Sequence, residues 1–349
     1  MSAPDELFGQ REPLEGLWRA AAAGRLPHAL LFEGPAGVGK FRAALTLVQG
    51  LYCSATPVEA GPCGACGPCK RVAARSHPDL FVLDPLELEW ESIPVGAISR
   101  REDSDDPVCD FLALRAMEGG LRAVVIREFE RANAQAQNAL LKTLEEPGAD
   151  SLLILETSRP DLLLETVRSR CVDVRFEGLA PAEAQAVLTR HGLEGREGAL
   201  LSRWAGGSPG RALELDRQGA PAVRALFAEV LGGGLDPFEA CERLFDLPGS
   251  FPGRTAPAQT RGRLRAALDL LLEVLRQGLH LAVGRPAAEL SHGDLLEAHP
   301  HPEAAWRRVL GEVVALRGEL ELNLPPESIA DRALWALADL ASPSQPAAR

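Results

Sequence analysis

Residues Gly34 to Phe41 read GPAGVGKF, which meets the phosphate-binding pattern GxxxxGK[ST] at every position but the last. In that pattern glycines let backbone N–H groups cradle phosphates, the lysine reaches the β and γ oxygens, and the final hydroxyl holds Mg²⁺. Gly34, Gly37, Gly39 and Lys40 are in place, whereas Phe41 stands where the hydroxyl belongs. A phenyl ring supplies no oxygen to a cation that demands octahedral oxygen ligands, and it leaves no room for the hydration shell.

A second departure concerns the same metal. The apolar run Leu121–Ile126 (LRAVVI) has the length and composition of a buried strand. In phosphate-loop enzymes such a strand ends in the acid that completes the Mg²⁺ site, but here it ends in Arg127, followed by Glu128. A guanidinium is always ionised and repels the cation that a carboxylate would hold. Both groups belong to the minimal equipment for phosphoryl transfer, so the expectation is a chain that does not hydrolyse ATP. Nucleotide binding without turnover stays open, because Arg127 can itself neutralise a phosphate.

Four of the seven cysteines form a second chemical group. Cys63, Cys66 and Cys69 are spaced C-x₂-C-x₂-C in a Gly/Pro-rich loop, and Cys53 lies upstream to close a tetrahedron. Four protein thiolates leave no open position, so the zinc they would hold is structural. An iron–sulfur cluster is the alternative, but the C-x₃-C-P continuation of ferredoxin runs is missing, with Ala73 and Ala74 in its place. Cys109, Cys171 and Cys241 are isolated and read as packing residues.

The elements that must position these groups alternate as in an α/β domain with a mostly parallel sheet. Leu30–Glu33 is a short strand feeding the phosphate loop and Phe41–Leu51 its helix, while Asp79–Leu83, Leu121–Ile126 and Leu152–Glu156 are further strands. The most periodic helix is Asn133–Glu146, with Asn133 as N-cap and Pro147-Gly148 as its stop. The stretch from Glu87 to Gly120, with an acidic patch at Arg100–Asp106, has no clear pattern. Beyond residue 178 the chain turns helical: Pro181–His191, Glu197–Trp204 and Pro209–Asp216 first, then the longer amphipathic stretches Arg261–Leu281, Pro302–Leu322 and Pro326–Leu340. Ser342–Arg349 reads as a disordered tail.

Composition narrows the function classes. A chain of 349 residues has room for two or three domains. A net charge of −12 opposes nucleic-acid binding across the whole surface, since phosphate contacts need clustered Lys and Arg. A polar N-terminus and the lack of any apolar run of membrane length point to the cytoplasm, where thiols stay reduced.

Six segments together carry a family resemblance: GPAGVGK, the four-cysteine loop, SHPDL (Ser76–Leu80), AQNALLKTLEEP (Ala136–Pro147), RSRC (Arg168–Cys171) and GGSPGRAL (Gly206–Leu213). Their order and spacing resemble the subunits of the bacterial clamp loader, an AAA+ assembly of DNA polymerase III, from about residue 25 to residue 215. The resemblance implies an AAA+ domain over 1–178 with a zinc module at 53–69, a three-helix lid over 179–218 and a helical collar over 219–341. It implies that Cys53, Cys63, Cys66 and Cys69 hold zinc, and that Arg170 is an arginine finger completing a neighbour's ATP site. Ser158 and Arg211 then match the sensor positions of a degenerate site. Implied partners are the other clamp-loader subunits, of gamma/tau and delta type, with the sliding clamp and primed DNA reached through the complex. Phe41 and Arg127 align the chain with the non-hydrolysing members of that family. An autonomous or gamma/tau-type ATPase is the alternative, and a zinc-containing DNA-binding regulator a weaker one.

Overall fold

In a computed structural model of the protein, residues 9–88, 90–100, 108–118, 120–148, 150–251, 255–322 and 324–341 are described. The tail at 342–349 and all but Arg100 of the patch at 100–106 lie outside them. The described residues divide into two units, 9–192 with Gly207–Arg211, and Leu193–Gly206 with 212–341.

The first unit is built on five strands, β1 (Ala29–Glu33), β2 (Leu80–Leu83), β3 (Arg122–Ile126), β4 (Ser151–Thr157) and β5 (Val172–Arg175). Their order is β2-β3-β4-β1-β5 and every pairing is parallel, with Leu31 opposite Leu155 and Val125 opposite Ile154. This is an α/β fold around an all-parallel five-stranded sheet. Parallel strands buried on both faces read as unbroken apolar runs, which is how β1, β3 and β4 stand out in the sequence. β5 (VDVR) is an edge strand with alternating, mostly exposed residues, and no apolar run announces it.

Alternate residues of each strand feed opposite layers. Ala29, Leu31, Val124, Ile126, Leu153 and Leu155 pack with α4 (Val95–Ile98), α5 (Val108–Ala113), α6 (Ala134–Glu145) and α7 (Glu165–Arg168). Leu30, Phe32, Ala123, Val125, Leu152 and Ile154 pack with α1 (Arg11–Ala22), α2 (Lys40–Tyr52) and α3 (Gly67–Ala73). The unpatterned stretch 87–120 thus supplies α4 and α5 within its described part, too short to show a helical period. Cys109 and Cys171 pack against the first of these layers.

Helix α8 (Pro181–Arg190) ends the continuous part of the first unit, α9 (Gly195–Trp204) lies in the second, and α10 (Pro209–Arg217) begins in the first and continues in the second. The rest of the second unit is α11 (Ala220–Leu231), α12 (Pro237–Asp246), α13 (Ala256–Ala282), α14 (Gly293–Ala298), α15 (Glu303–Glu319) and α16 (Pro326–Ala341). Trp306 of α15 is buried against Gly278 of α13, where a Cβ would come within 2.6 Å of the indole. Cys241 is buried on α12. Among the described residues no helix is long and apolar enough to cross a membrane.

Candidate functional site

The carboxyl ends of β1, β3 and β4 meet in one crevice, the usual ligand position in an open parallel sheet. The phosphate loop leaves β1 at Gly34 and enters α2 at Lys40. Gly37 and Gly39 have φ of 78° and 102°, a left-handed backbone that glycine adopts without strain. Gly37 also needs to lack a side chain: a Cβ there would lie 2.6 Å from the backbone nitrogen of Arg211.

That contact shows what the GGSPGRAL motif does in this structure. Ser208 donates its hydroxyl to the Ala36 carbonyl at 2.6 Å, and the Gly210 amide donates to the Gly37 carbonyl at 2.9 Å. The first turn of α10 is therefore seated on the phosphate loop, with Arg211 exposed at its start. From another side, the buried Gln10 donates to the carbonyls of Glu177 and Val38, at 2.8 and 3.4 Å.

Lys40 is turned into its own loop. Its ammonium donates to the carbonyls of Gly34 and Pro35, both at 2.8 Å, and stands 3.8 Å from the carboxylate of Glu156 on β4. Burial pushes the Glu156 carboxyl up to about 7, against the pull of Lys40 and Arg127. Burial likewise draws the Lys40 ammonium below its ordinary range, against Glu156, Glu130 and Glu128. Both partners move as desolvation demands, so their mutual attraction at this separation does not offset the loss of water. The second Glu156 oxygen is buried without a hydrogen bond, 4.0 Å from Arg127 Nε.

The metal side of the crevice is filled by protein. Phe41, at the second position of α2, packs against the core layer below α2, and the guanidinium groups of Arg75 and Arg127 lie 4.8 and 5.1 Å from its ring centre. Asp84, buried at the end of β2, accepts from Arg127 Nη1 at 3.0 Å and stands 3.6 Å from Arg75. Two half-buried cations, a π face and a buried carboxylate form one cluster, in which Arg75 also pairs with the exposed Glu87 at 2.6 Å. Glu128 turns aside to pair with Arg131 at 2.5 Å. Ser158 donates its hydroxyl and its amide to Glu130 Oε1, at 2.6 and 3.1 Å.

Gly34, Gly37, Gly39, Lys40, Phe41 and Arg127 are thus brought together, with Glu128, Ser158 and Arg211 around them. Sequence reading missed Glu156, Asp84, Arg75 and Gln10. Glu156 and Asp84 had a signal, an acid at the end of an apolar strand run, whereas Arg75 and Gln10 had none.

Arg170 makes its contacts elsewhere. Its guanidinium donates to Glu145 Oε1 on α6 at 2.6 Å and to the Thr166 carbonyl at 2.9 Å.

The four grouped cysteines converge, their sulfurs all within 4.8 Å of one another and Cys53 and Cys66 at 3.9 Å. A tetrahedral zinc with bonds of ~2.3 Å needs sulfurs about 3.8 Å apart, so the set fits that ion. The amides of Ala65 and Cys66 donate to the Cys63 sulfur at 3.4 and 3.3 Å, as in a tight metal-binding turn. Burial disfavours the Cys53 thiolate, but donors led by the Thr56 hydroxyl outweigh it and bring the thiol down to about 5. The module is tied to the domain by Trp18, which donates to the Leu47 carbonyl and covers Gly61, where a Cβ would meet the indole at 2.8 Å.

The SHPDL motif is an anchor. Asp79 is fully buried and accepts the amides of Met117 and Glu118 at 2.6 and 2.9 Å, and Tyr52 donates its hydroxyl to the Asp79 carbonyl.

Comparison with known proteins agrees with this layout. Residues 9–180 match the family model described as DNA polymerase III, delta subunit. Along 320 residues the chain is 31% identical to the DNA polymerase III subunit delta' of Escherichia coli K12, covering 89% of this chain and 88% of that one. The chain belongs to the delta' family of DNA polymerase III subunits. It is also 38% identical over 204 residues to the delta' subunit of Pseudomonas aeruginosa and 31% identical over 201 residues to that of Bacillus subtilis. Each of these two matches covers 58% of this chain and spans less than two thirds of the relative, 60% and 57% respectively.

Proposed function

We propose that this delta'-family chain works in the clamp loader as a non-hydrolysing subunit. It holds the ring together and lends Arg170 to the ATP site of a neighbouring ATPase subunit while the sliding clamp is loaded onto primed DNA. The observation that carries this reading is the cluster of Phe41, Arg75, Arg127 and Asp84 on the metal side of the crevice. A site without a hydroxyl at the loop's end, and with a guanidinium in place of the acid, has no means of holding the metal that phosphoryl transfer needs. Its lysine is spent on its own loop.

In a chain with such a site, Arg170 has no transition state of its own chain to stabilise. The reading therefore assigns Arg170 to act in trans, with residues 1–178 as the AAA+ domain, 179–218 as the lid and 219–341 as the collar that joins subunits of gamma/tau and delta type. Ser158 and Arg211, at the sensor positions, keep structural duties. Zinc held by Cys53, Cys63, Cys66 and Cys69 stabilises the fold, and the complex operates in the cytoplasm.

Arg170→Ala, built into the reconstituted complex, tests the central claim. A dominant finger is worth roughly 10³ to 10⁵ in rate at the site it serves. The complex should assemble normally, keep its zinc, and lose the share of ATP turnover and clamp loading carried by that site. Wild-type rates in an assembled complex would refute the trans role.

A further inference from the structure

We propose that Glu145 is a positioning residue for Arg170, and that helix α6 is the rigid bar to which the finger is fixed. This inference rests on the trans role proposed for Arg170. Two independent attachments hold the segment carrying Arg170 to α6. At the start of the helix the buried Gln137 donates to the Leu162 carbonyl at 3.2 Å and accepts the Leu164 amide at 2.7 Å. At its end Glu145 Oε1 takes Arg170 Nη2 at 2.6 Å. Between them Leu163 and Val167 are buried in the same layer as Leu140 and Leu144.

The bar is itself fixed at both ends. Asn133 caps its start by accepting the Ala136 amide at 3.0 Å, and His28 beside β1 bonds the Leu144 carbonyl at 3.1 Å. The backbone around Arg170 is therefore set by buried packing, and Glu145 sets the last freedom, that of the long side chain.

The chemistry of the contact suits positioning better than trapping. A guanidinium has five N–H donors; Glu145 engages Nη2, and the Thr166 carbonyl and, at 3.5 Å, the Ser169 hydroxyl oxygen engage Nη1. The Nε hydrogen and the second Nη2 hydrogen remain for a phosphoryl oxygen of the neighbour without breaking these bonds. Arginine carries a large rotamer entropy, and a residue that has already restricted it lowers the cost of engaging the phosphoryl group. With side chains 36% and 51% exposed, the pair is worth little to folding, so its removal leaves the domain intact.

The test is a mutant cycle in the reconstituted complex, with the other ATP sites silenced at their phosphate-loop lysines. Glu145→Ala should lower the turnover number about two- to fivefold, the range available to an exposed ion pair, with little change in KM. Glu145→Gln, which keeps an acceptor oxygen, should restore most of the rate. In the Arg170→Ala background Glu145→Ala should add nothing, because a residue acting through Arg170 has nothing left to act on. An unchanged or faster rate for Glu145→Ala, or an undiminished loss in the Arg170→Ala background, would overturn the positioning role. A full rate for Arg170→Ala alone would overturn the trans role on which it rests, so the two failures are read from different proteins.

Discussion

Replacing Glu156 by glutamine should make the protein more stable at pH 8 and leave it nearly unchanged at pH 4. The carboxyl titrates near 7 in the folded chain and near 4.5 when unfolded. Between those values the folded state binds the extra proton, so stability is fully present below about 4.5 and is lost as pH rises towards 7. A shift from 4.5 to about 7 corresponds to a loss of order 3 kcal/mol above pH 7, at about 1.4 kcal/mol per unit. Glutamine has no proton to lose, so this slope disappears. Part of the gain is returned, because Lys40 then keeps only the carbonyls of Gly34 and Pro35 within hydrogen-bond reach. The net advantage of Glu156→Gln at pH 8 should be roughly 1 to 3 kcal/mol.

Urea denaturation of both proteins at half-unit steps from pH 4 to pH 8 measures this directly, since other titrating groups cancel in the difference. The difference should start near zero and grow in favour of glutamine. A difference that is flat, or that turns against glutamine as pH rises, would mean that Glu156 is ionised and well paired with Lys40. The claim that burial outweighs their attraction would then be wrong.

Two further outcomes follow from the same geometry. Phe41→Thr with Arg127→Asp restores both missing metal-site groups, yet Asp84, Arg75 and the seated turn of α10 stay in place. ATPase activity of the purified double variant should therefore remain below about 1% of an intact family member's, misplacement alone costing roughly 10²-fold; brisk Mg²⁺-dependent turnover would show that these two residues alone silence the site. Metal analysis should find one zinc per chain, and Cys66→Ser should remove it and lower the thermal midpoint, as loss of a structural metal does. An iron–sulfur absorption band, or full zinc content in Cys66→Ser, would reject the Cys₄ assignment.

Legibility in the sequence followed how local each signal is. The phosphate loop, α6 and its Asn133 cap, and strands β1, β3 and β4 depend on neighbours in the chain, and all stand where their patterns put them. The four cysteines were legible for the same reason. β5 was not, because an edge strand with one partner needs no continuous apolar run. The helices within 87–120 are too short for a period of 3.6 to appear. Arg75 lies far from Phe41 in sequence and reaches it only through the fold, so no spacing rule could have paired them.

On the proposed trans role of Arg170, the bonding within the crevice bears on how that side chain is held. A working phosphate loop must admit and release a nucleotide, and elements that move are drawn from the less stable parts of a fold. Here the loop's lysine bonds the carbonyls of Gly34 and Pro35, Ser208 just ahead of α10 bonds that of Ala36, and Arg127 ties the ends of β3 and β2 through Asp84. The crevice is knit to α6, the helix that holds Arg170 through Glu145, by Glu130, which lies just ahead of α6 and accepts from Ser158 at the end of β4. Strand β4 then leads through Leu162 and Leu164, held by Gln137, to Arg170, held by Glu145. On the proposed role, a subunit that does not turn over ATP can give up the motion that turnover requires. What it would gain is a fixed mount for Arg170, whose proposed value to a neighbour would fall steeply with misplacement.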